Sequence, residues 1–594
     1  MVKIGPAFGD YIRLEKSQRH LGDSSRSYSI RSYILPAILI IGVILIIARL
    51  FFLQIIKGES FRNLSDANRT KTIPIHAPRG IIFDSQGVPL VFNVPGFREV
   101  PDGTSSRDEK IKLIDRDNAL ELLSKGKTNL EIDSLRNYPY KDVTSHVLGY
   151  IGQISKEELT RLQLPPQSGG GQEQKTFANY AGGDLIGKIG IEREYENLLK
   201  GLNGKELVEI NSMGKVVRKL GQTDPIPGQN ITLTLDIALQ KAAFDAAKDV
   251  KKGAIIVSNP KGEILVLLSK PSFDPNLFTM GEGYSSAEQN SSYQSISQIL
   301  MDSENQPFLN RAIGGTYPPG SAFKLITAAA GLEDKVIDKN FVIEDTGILK
   351  LGAFSFGNWY FLQYGKTDGE VNVVKAIQRS NDIFFYKLAE MIGVDKLSQF
   401  AEKFGLGKKL SIDLAGEQAG IVPTDEWKRK AIGEQWYLGD TYHYGIGQGY
   451  LLTTPLQVNV LTQIIANNGV FYKPHLLKNE KLKIKNENFL SQNTSDLIRE
   501  GMIEACSPGG VAWPLFEFKV QSSKFKVDRK ISIACKTGTA QHGGEETLPH
   551  AWITLFVPAE KPEIIVTVLS EASGEGSNIA APIAKKILEE WFSR

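Results

Sequence analysis

The sequence predicts a mixed α+β protein with a single membrane-spanning helix near its start, a β-rich stem, and a large C-terminal domain in which helices sandwich an antiparallel sheet. Three observations carry that expectation. An apolar run extends from Tyr33 to Ile56, short strand-like runs separated by turn residues follow it as far as Asp236, and helix-length segments then alternate with a few strands up to a terminal amphipathic helix. At 594 residues the chain exceeds what one hydrophobic core organises, so two or three domains are expected.

Tyr33 to Ala48 reads YILPAILIIGVILIIA, and the run continues past Arg49 into LFFLQII. About 20 predominantly apolar residues cross a bilayer as a helix, with Arg49 extending its guanidinium toward the interface. A cleaved signal peptide would want a shorter apolar core and an A-x-A site, which IARLFFLQ lacks, so an anchor over 32–56 behind a tail of 1–31 is expected. Arg13, Lys16, Arg19, Arg26 and Arg31 before the span face Arg49, Lys57, Arg62, Arg69 and Lys71 after it. The positive-inside rule therefore does not choose an orientation, and the choice falls to the chemistry of the C-terminal part.

With 69 basic against 67 acidic residues, nothing in the composition argues for nucleic acid. Cys506 and Cys535 fit no CxxC or Cys/His metal spacing and cannot build a disulfide framework, so two free or buried thiols are expected.

In the stem, spanning 57–235, the runs Arg79–Phe83 and Val88–Phe92 flank the turn Asp84-Ser85-Gln86-Gly87. Pro101 to Leu135 is charged and helix-like, Pro165 to Gly183 is a Gly/Gln/Pro-rich loop expected to be mobile, and ITLTLD, ending at Asp236, alternates as a strand. In the C-terminal domain, spanning 236–594, a helix from Ala238 to Val250 precedes a hairpin turning at Asn259-Pro260-Lys261-Gly262. Thr279 to Asn305 is polar and reads as a surface loop. ITLFV and EIIVTVL, joined by a Pro-Ala-Glu-Lys-Pro turn, then lead to a helix from Ala580 to Phe592.

Ser321-Ala322-Phe323-Lys324 is an S-x-x-K motif, as are Ser124 to Lys127, Ser212 to Lys215, Ser258 to Lys261 and Ser523 to Lys526. Only Ser321 stands between a Tyr317-Pro318-Pro319-Gly320 turn and a long apolar helix. A serine at a helix N-terminus meets unpaired N–H groups, and Lys324 one turn on shares its face, which suits an activated nucleophile; a capping serine with a solvated lysine fits the isolated motif as well. Ser380-Asn381-Asp382 opens another apolar helix, where capping is again an alternative. Lys536-Thr537-Gly538-Thr539 ends the alternating run from Ile531 to Cys535. Its lysine supplies a cation for a carboxylate, its glycine lets a substrate backbone approach, and its strand N–H groups suit an oxyanion.

The order S-x-x-K, S-x-[N/D], K-T-G resembles the penicillin-binding proteins and serine β-lactamases. Similarity continues through LQIIKGESFRNLSDANRTKTIPIHAPRGIIFDSQGVPL, GKIGIEREYENLLKGLNGK, KGEILVLLSKPSFDPN, NRAIGGTYPPGSAFK and YGIGQGYLLTTPLQ, so most of the chain resembles a class B penicillin-binding protein, a peptidoglycan D,D-transpeptidase. Asp382 at the third position of the second motif resembles the penicillin-binding protein 2 branch, which serves cell elongation. The resemblance implies a dimerisation-like pedestal and a transpeptidase domain. It implies Ser321 as nucleophile toward the penultimate D-Ala carbonyl and Lys324 as proton acceptor. Ser380 and Asp382 would relay protons and hold Lys324. Lys536 and Thr537 would bind the terminal carboxylate beside Gly538, and the N–H groups of Ser321 and Thr539 would form the oxyanion hole. Which group is the acylation base stays open in this motif class.

The implied partners are peptidoglycan stem peptides, β-lactam antibiotics, a glycosyltransferase of the SEDS type and elongation-complex proteins. The implied place is the cytoplasmic membrane, with the N-terminus inside and the catalytic domain outside. Some elongation-branch members hold a metal through Asp, His and Cys between the first two motifs. FGNWYFLQYGKTDGEVN has no His or Cys, so no zinc and no other cofactor is expected. The segment between Phe97 and His146, the region of the membrane-distal head, is short for the family. β-Lactamases, D,D-carboxypeptidases, β-lactam sensors and non-catalytic scaffolds share the motifs or the stem. A secreted hydrolase needs neither anchor nor stem, a sensor wants several spans, and a scaffold would tolerate loss of Ser321, Lys324 or Lys536.

Overall fold

The computed structural model describes residues 30–99, 112–127, 130–163, 180, 182–211, 216–281, 284, 286, 291–478, 488–521, 528–543 and 547–594. Most of the tail and of the 165–183 loop lies outside them, as do 212–215 and 523–526. The chain forms two compact units, Met1–Ile73 with Glu206–Gln222 and Pro74–Lys205 with Thr223–Arg594.

In the first unit the apolar helix Arg31–Phe51 runs on through Phe52–Ile56 with its Ile, Leu and Val side chains exposed, as a lipid-facing surface requires. The helix Gly58–Arg69 leads into a three-stranded sheet of Thr70–Ile75, Gly204–Ile210 and Val216–Thr223. There Glu209 takes Arg218 Nε at 2.6 Å and also pairs with Arg69.

The second unit begins with the stem's sheet. Asp84 Oδ1 accepts the N–H groups of Gln86 and Val88 at 2.9 and 2.7 Å, closing the turn between Ile82–Phe83 and the long strand Pro89–Glu99. That strand pairs with Leu130–Asn137 and, at its end, with Lys112–Asp115. The charged segment from Pro101 to Leu135 is thus not simply helical: helix Arg116–Ser124 sits between two strands. Ile132 on this strand is exposed and Asp133 buried, its carboxylate accepting Arg98 Nε at 2.9 Å, so an ion pair inside the sheet and not an apolar stripe fixes the segment as a strand. Beneath the sheet Glu192, fully buried, takes Arg79 Nε at 3.0 Å and Arg136 Nε at 2.7 Å, while Glu196 takes Arg79 Nη2 at 2.7 Å. The two guanidiniums hold the Glu192 carboxyl below its ordinary range against the opposing effect of burial.

The C-terminal domain is built on strands β1 (Gly253–Ser258), β2 (Ile264–Lys270), β3 (Ala534–Ala540), β4 (His550–Val557) and β5 (Ile564–Ser570). Their order is β2-β1-β5-β4-β3, antiparallel throughout, with β3 at an edge. Alternation in β1 sends Ala254 and Ile256 into one core and Ile255 and Val257 into the other. Helices Ile237–Ala246 and Ala580–Ser593 cover the second face, and Pro455–Ala466 covers the first. Four further helices matter for the site: α1 (Lys324–Glu333), α2 (Val373–Arg379), α3 (Asp382–Ile392) and α4 (Gln492–Ala505). α1 is apolar all round and buried through Leu332, the pattern of a helix enclosed by others.

Three sequence expectations are corrected here. ITLTLD forms a strand at Ile231–Thr232 and bridges Leu477 at Leu233, and from Leu233 to Asp236 both of its faces are buried, Thr234 donating its hydroxyl to Ile264 O at 2.7 Å. The described part of Thr279 to Asn305 contains helix Ile296–Met301 and packs Tyr293 and Ile299 beside Phe273 and Leu277, because its few apolar residues have a pocket to fill. Cys506 and Cys535 are not free thiols: they form a disulfide, Cα to Cα 5.9 Å, joining the end of α4 to β3. Packing of α4 against β3 brings together two cysteines that are 29 residues apart in sequence.

Candidate active site

Ser321 lies in the 3-10 turn Gly320–Ala322 that leads into α1, and it is half-buried. It does not cap the helix: the N-cap position is Phe323, without a side-chain bond. Gly320 has φ +53° and donates its N–H to Gly447 O at 2.9 Å, a backbone approach that the glycines permit. The other S-x-x-K serines behave differently. Ser124 bonds its own helix at Glu121 O and Ser258 is fixed to Asn459 Oδ1 inside the core, while Ser212 and Ser523 lie outside the described residues.

Capping is also decided in the second motif. Asn381, not Ser380, caps α3 by accepting Phe384 N–H at 2.9 Å. Ser380 ends α2 in the left-handed region, φ +53° and ψ +37°, a conformation costing a non-glycine residue on the order of 1 kcal/mol. Its hydroxyl is thereby turned to the lysines. Lys324 Nζ donates to Ser380 O at 2.8 Å, to Ser380 Oγ at 3.3 Å and to Asp382 Oδ1 at 2.6 Å. Lys536 Nζ donates to the same Ser380 Oγ at 2.9 Å and to Thr537 O at 2.9 Å.

Both lysines are fully buried. Burial lowers the pKa of Lys324, and the Asp382 carboxylate opposes that shift without cancelling it. Burial lowers Lys536 further still, with the neighbouring Lys324 charge acting in the same direction. The direction of both shifts favours the neutral amine, the form that can accept a proton.

The third motif closes on the turn that carries Ser321. A Cβ added to Gly538 would stand 3.1 Å from Pro319 O and 3.6 Å from Ala322 N, so only a bare backbone lets β3 lie this close to Ser321. Trp552 Nε1 on β4 donates to Pro318 O at 3.1 Å, pinning the same turn. Thr537 is buried and Thr539 exposed, at the sheet edge where an extended peptide could add as a further strand.

Sequence reasoning passed over several residues that surround this cluster. Tyr317 donates its hydroxyl to Glu571 Oε1 at 2.5 Å, and Arg311 Nε reaches that oxygen at 2.7 Å, clamping the residue at the head of the turn that carries Ser321. Trp359 N–H donates to Asp382 Oδ2 at 3.0 Å. The Tyr-Pro-Pro-Gly block signals the first group, whereas FGNWYF, without His or Cys, carries no sequence signal for the second. As for a metal, no group of three His, Cys, Asp or Glu residues among the described ones could hold it. Between the first two motifs, Asp345 and Asp368 turn their oxygens to N–H donors, a donor set that does not fit a cation.

Residues 253–589 match the penicillin binding protein transpeptidase domain family, and residues 125–233 match the penicillin-binding protein dimerisation domain family. Curated relatives named peptidoglycan D,D-transpeptidase MrdA include one from Haemophilus influenzae, 32% identical over 93% of this chain and 91% of that protein. Another, from Escherichia coli, is 32% identical over 97% of this chain and 96% of its own length. Among solved structures, penicillin-binding protein 2 from Helicobacter pylori in complex with MreC superposes with TM-score 0.69 at 29% identity, covering 88% of this chain and 98% of that one. A chain from a peptidoglycan synthase complex superposes with TM-score 0.70 at 27% identity, covering 95% and 98%.

Proposed function

The chain belongs to the penicillin-binding protein transpeptidase family, and from that premise we propose that Ser321, Lys324, Ser380, Asp382 and Lys536 run its acyl transfer. The protein is a serine-type peptidoglycan D,D-transpeptidase of the penicillin-binding protein 2 kind, anchored to the membrane by its N-terminal helix. Supporting this division of labour is one observation: a single hydroxyl, Ser380 Oγ, accepts from the Nζ atoms of two fully buried lysines, one from the helix that follows Ser321 and one from the edge strand.

In this reading Lys324, in its neutral form, takes the Ser321 hydroxyl proton as Oγ bonds to the penultimate D-Ala carbonyl carbon. The N–H groups of Ser321 and Thr539 receive the oxyanion. Ser380 passes its proton to the leaving D-Ala nitrogen as the C–N bond breaks and regains one from Lys324, which holds the proton taken from Ser321, while Asp382 keeps Lys324 in place. Lys536 and Thr537 hold the terminal carboxylate, and Gly538 lets β3 lie against the Ser321 turn beside the donor peptide. An acceptor amine from a second strand then attacks the acyl-enzyme and restores Ser321. A β-lactam, presenting a carboxylate and a reactive carbonyl at the same spacing, acylates the same oxygen.

Residues 57–235 would serve as pedestal and 236–594 as the transpeptidase domain. The N-terminus would lie in the cytoplasm and the catalytic domain outside, where stem peptides are. A partner of the MreC kind and a SEDS-type glycosyltransferase of an elongation complex would be the assembly partners, since relatives occur with MreC and in a peptidoglycan synthase complex.

The test is covalent labelling of the full-length protein by a fluorescent penicillin. Wild type is expected to label and Ser321→Ala not to; equal labelling of the two removes Ser321 from its role. Donor peptide with an amine acceptor should then yield the cross-linked product, whereas hydrolysis alone would indicate a carboxypeptidase.

A further inference from the structure

Between the first two motifs, one carboxylate gathers four N–H donors. Asp345, 2% exposed, accepts Gly347 N–H at 2.9 Å through Oδ1. Its Oδ2 accepts Asn358 Nδ2 at 2.8 Å, Asp368 N at 2.9 Å and Asn381 Nδ2 at 2.9 Å. Asn358 and Asn381 are wholly buried. A carboxylate accepts and does not donate, so it fixes each amide it meets with the N–H side inward and the carbonyl oxygen outward. The Asn358 Oδ1 atom is therefore presented to Asp382 N–H, which it accepts at 3.2 Å. The Asn381 Oδ1 atom is presented to Phe384 N–H. The next residue after Asn358, Trp359, donates its backbone N–H to Asp382 Oδ2 at 3.0 Å, leaving Oδ1 for Lys324. Arg379 secures the outer end by bonding Asp368 Oδ1 at 2.9 Å, and Asp368 Oδ2 shares Asn381 Nδ2 at 3.1 Å.

We infer that Asp345 is a positioning residue for acyl transfer, acting through Asn358, Trp359 and Asn381 to aim the Asp382 carboxylate at Lys324. This rests on the roles given to Ser321, Lys324 and Asp382 above. Asp345 touches neither lysine. It sets amide orientations at three points of the chain, so that backbone and side chain of Asp382 are both held. Replacing one oxygen by NH2 turns a donor toward donors, and the amides must rotate or separate. Asp382 then swings away from Lys324, and the carboxylate's support of the ammonium form weakens. Because that support opposes the lowering by burial, losing it lowers the Lys324 pKa further. The limb of the rate profile that rises as Lys324 gives up its proton moves to lower pH.

The experiment measures the second-order acylation constant of full-length protein with a fluorescent penicillin from pH 5 to 9, together with the thermal transition. Asp345→Asn is expected to lower the constant at neutral pH about 10- to 100-fold, the scale of a misplacement near 1 Å, and to shift the rising limb to lower pH. Asp345→Glu, which keeps an acceptor-only group, is expected to recover part of both. Wild-type rate and profile in a folded Asp345→Asn overturn the inference, as does a slowed variant whose limb has not moved. Should Asp345→Asn not fold, Asn358→Leu carries the test, since it leaves the bonds of Asp345 to residues 347, 368 and 381 intact; an unchanged profile there is equally fatal. Ser321→Ala in the same series separates the two levels: labelling of that variant refutes the roles of the site itself, while an unlabelled Ser321→Ala beside a wild-type-like Asp345→Asn refutes only the positioning role.

Discussion

Breaking the Cys506–Cys535 disulfide should weaken both the fold and the catalysis, by amounts that can be worked out. The bond closes a loop with a sequence separation of 29. Constraint of the unfolded chain by a loop that long is worth about 3.5 kcal/mol at room temperature. For a domain of this size the loss corresponds to a fall in melting temperature of about 5 °C. Catalysis should suffer as well, because Cys535 directly precedes Lys536 and Cys506 caps α4, which packs on β3. Once unlinked, the strand can shift against the turn holding Ser321, and shifts of a few tenths of an ångström at Gly538 alter how donor and nucleophile meet. The assay compares Cys506→Ala/Cys535→Ala with wild type, and oxidised with reduced wild type, by thermal unfolding and by penicillin acylation. Equal transitions within 1 °C and equal acylation constants would refute the reasoning; a thermal loss without a rate change would confine the disulfide to stability.

Two further outcomes are expected away from Lys324 and Lys536. Glu192→Gln removes the one carboxylate that, among the described residues, pairs with the buried Arg136, which should cost about 3–5 kcal/mol and show as a large drop in the unfolding midpoint; a shift below 1 °C would mean that the stem is not held by this pair. Burial pushes the Asp142 carboxyl up to about 6, with Ser291 opposing, so the folded state holds a proton that the unfolded state releases from about pH 3.8 upward. Stability from this group is therefore present in acid and is lost as pH rises through about 6, on the order of 3 kcal/mol. Asp142→Asn should raise the melting temperature at pH 7.5 and change it little at pH 4, and a variant destabilised equally at both would contradict the burial argument.

Much of the site was legible in the sequence because its parts are local. A turn of prolines and glycine ahead of an apolar helix, an asparagine before another, and a K-T-G on an alternating run each announce their backbone setting within a few residues, and the resemblance joined them. The apolar run from Tyr33 was similarly plain, and helix Arg31–Phe51 covers most of it. What stayed hidden depends on partners far off in the chain. Glu571 meets Tyr317 across 254 positions, and Asn381 meets Asp345 across 36. A polar residue in a polar stretch looks solvated until its partner's place is known. The cysteines were misread for the same reason: a buried thiol and half of a disulfide have one sequence signature. ITLTLD was misjudged because alternation reports a half-buried strand, whereas here both faces are covered.

The order of strands in the sheet has a temporal consequence. β5, last of the five in sequence, lies in the middle and joins β1, made some three hundred residues earlier, to the edge pair β4 and β3. Contacts of such long span form slowly, since a large loop must close before any of them is rewarded. Until β5 docks, the hairpin of β1 and β2 shares no strand-to-strand hydrogen bonds with the pair that carries Lys536. A nascent chain already tethered at its start thus remains chemically silent until residues near 570 arrive, so activity cannot precede completion of the domain that confines it.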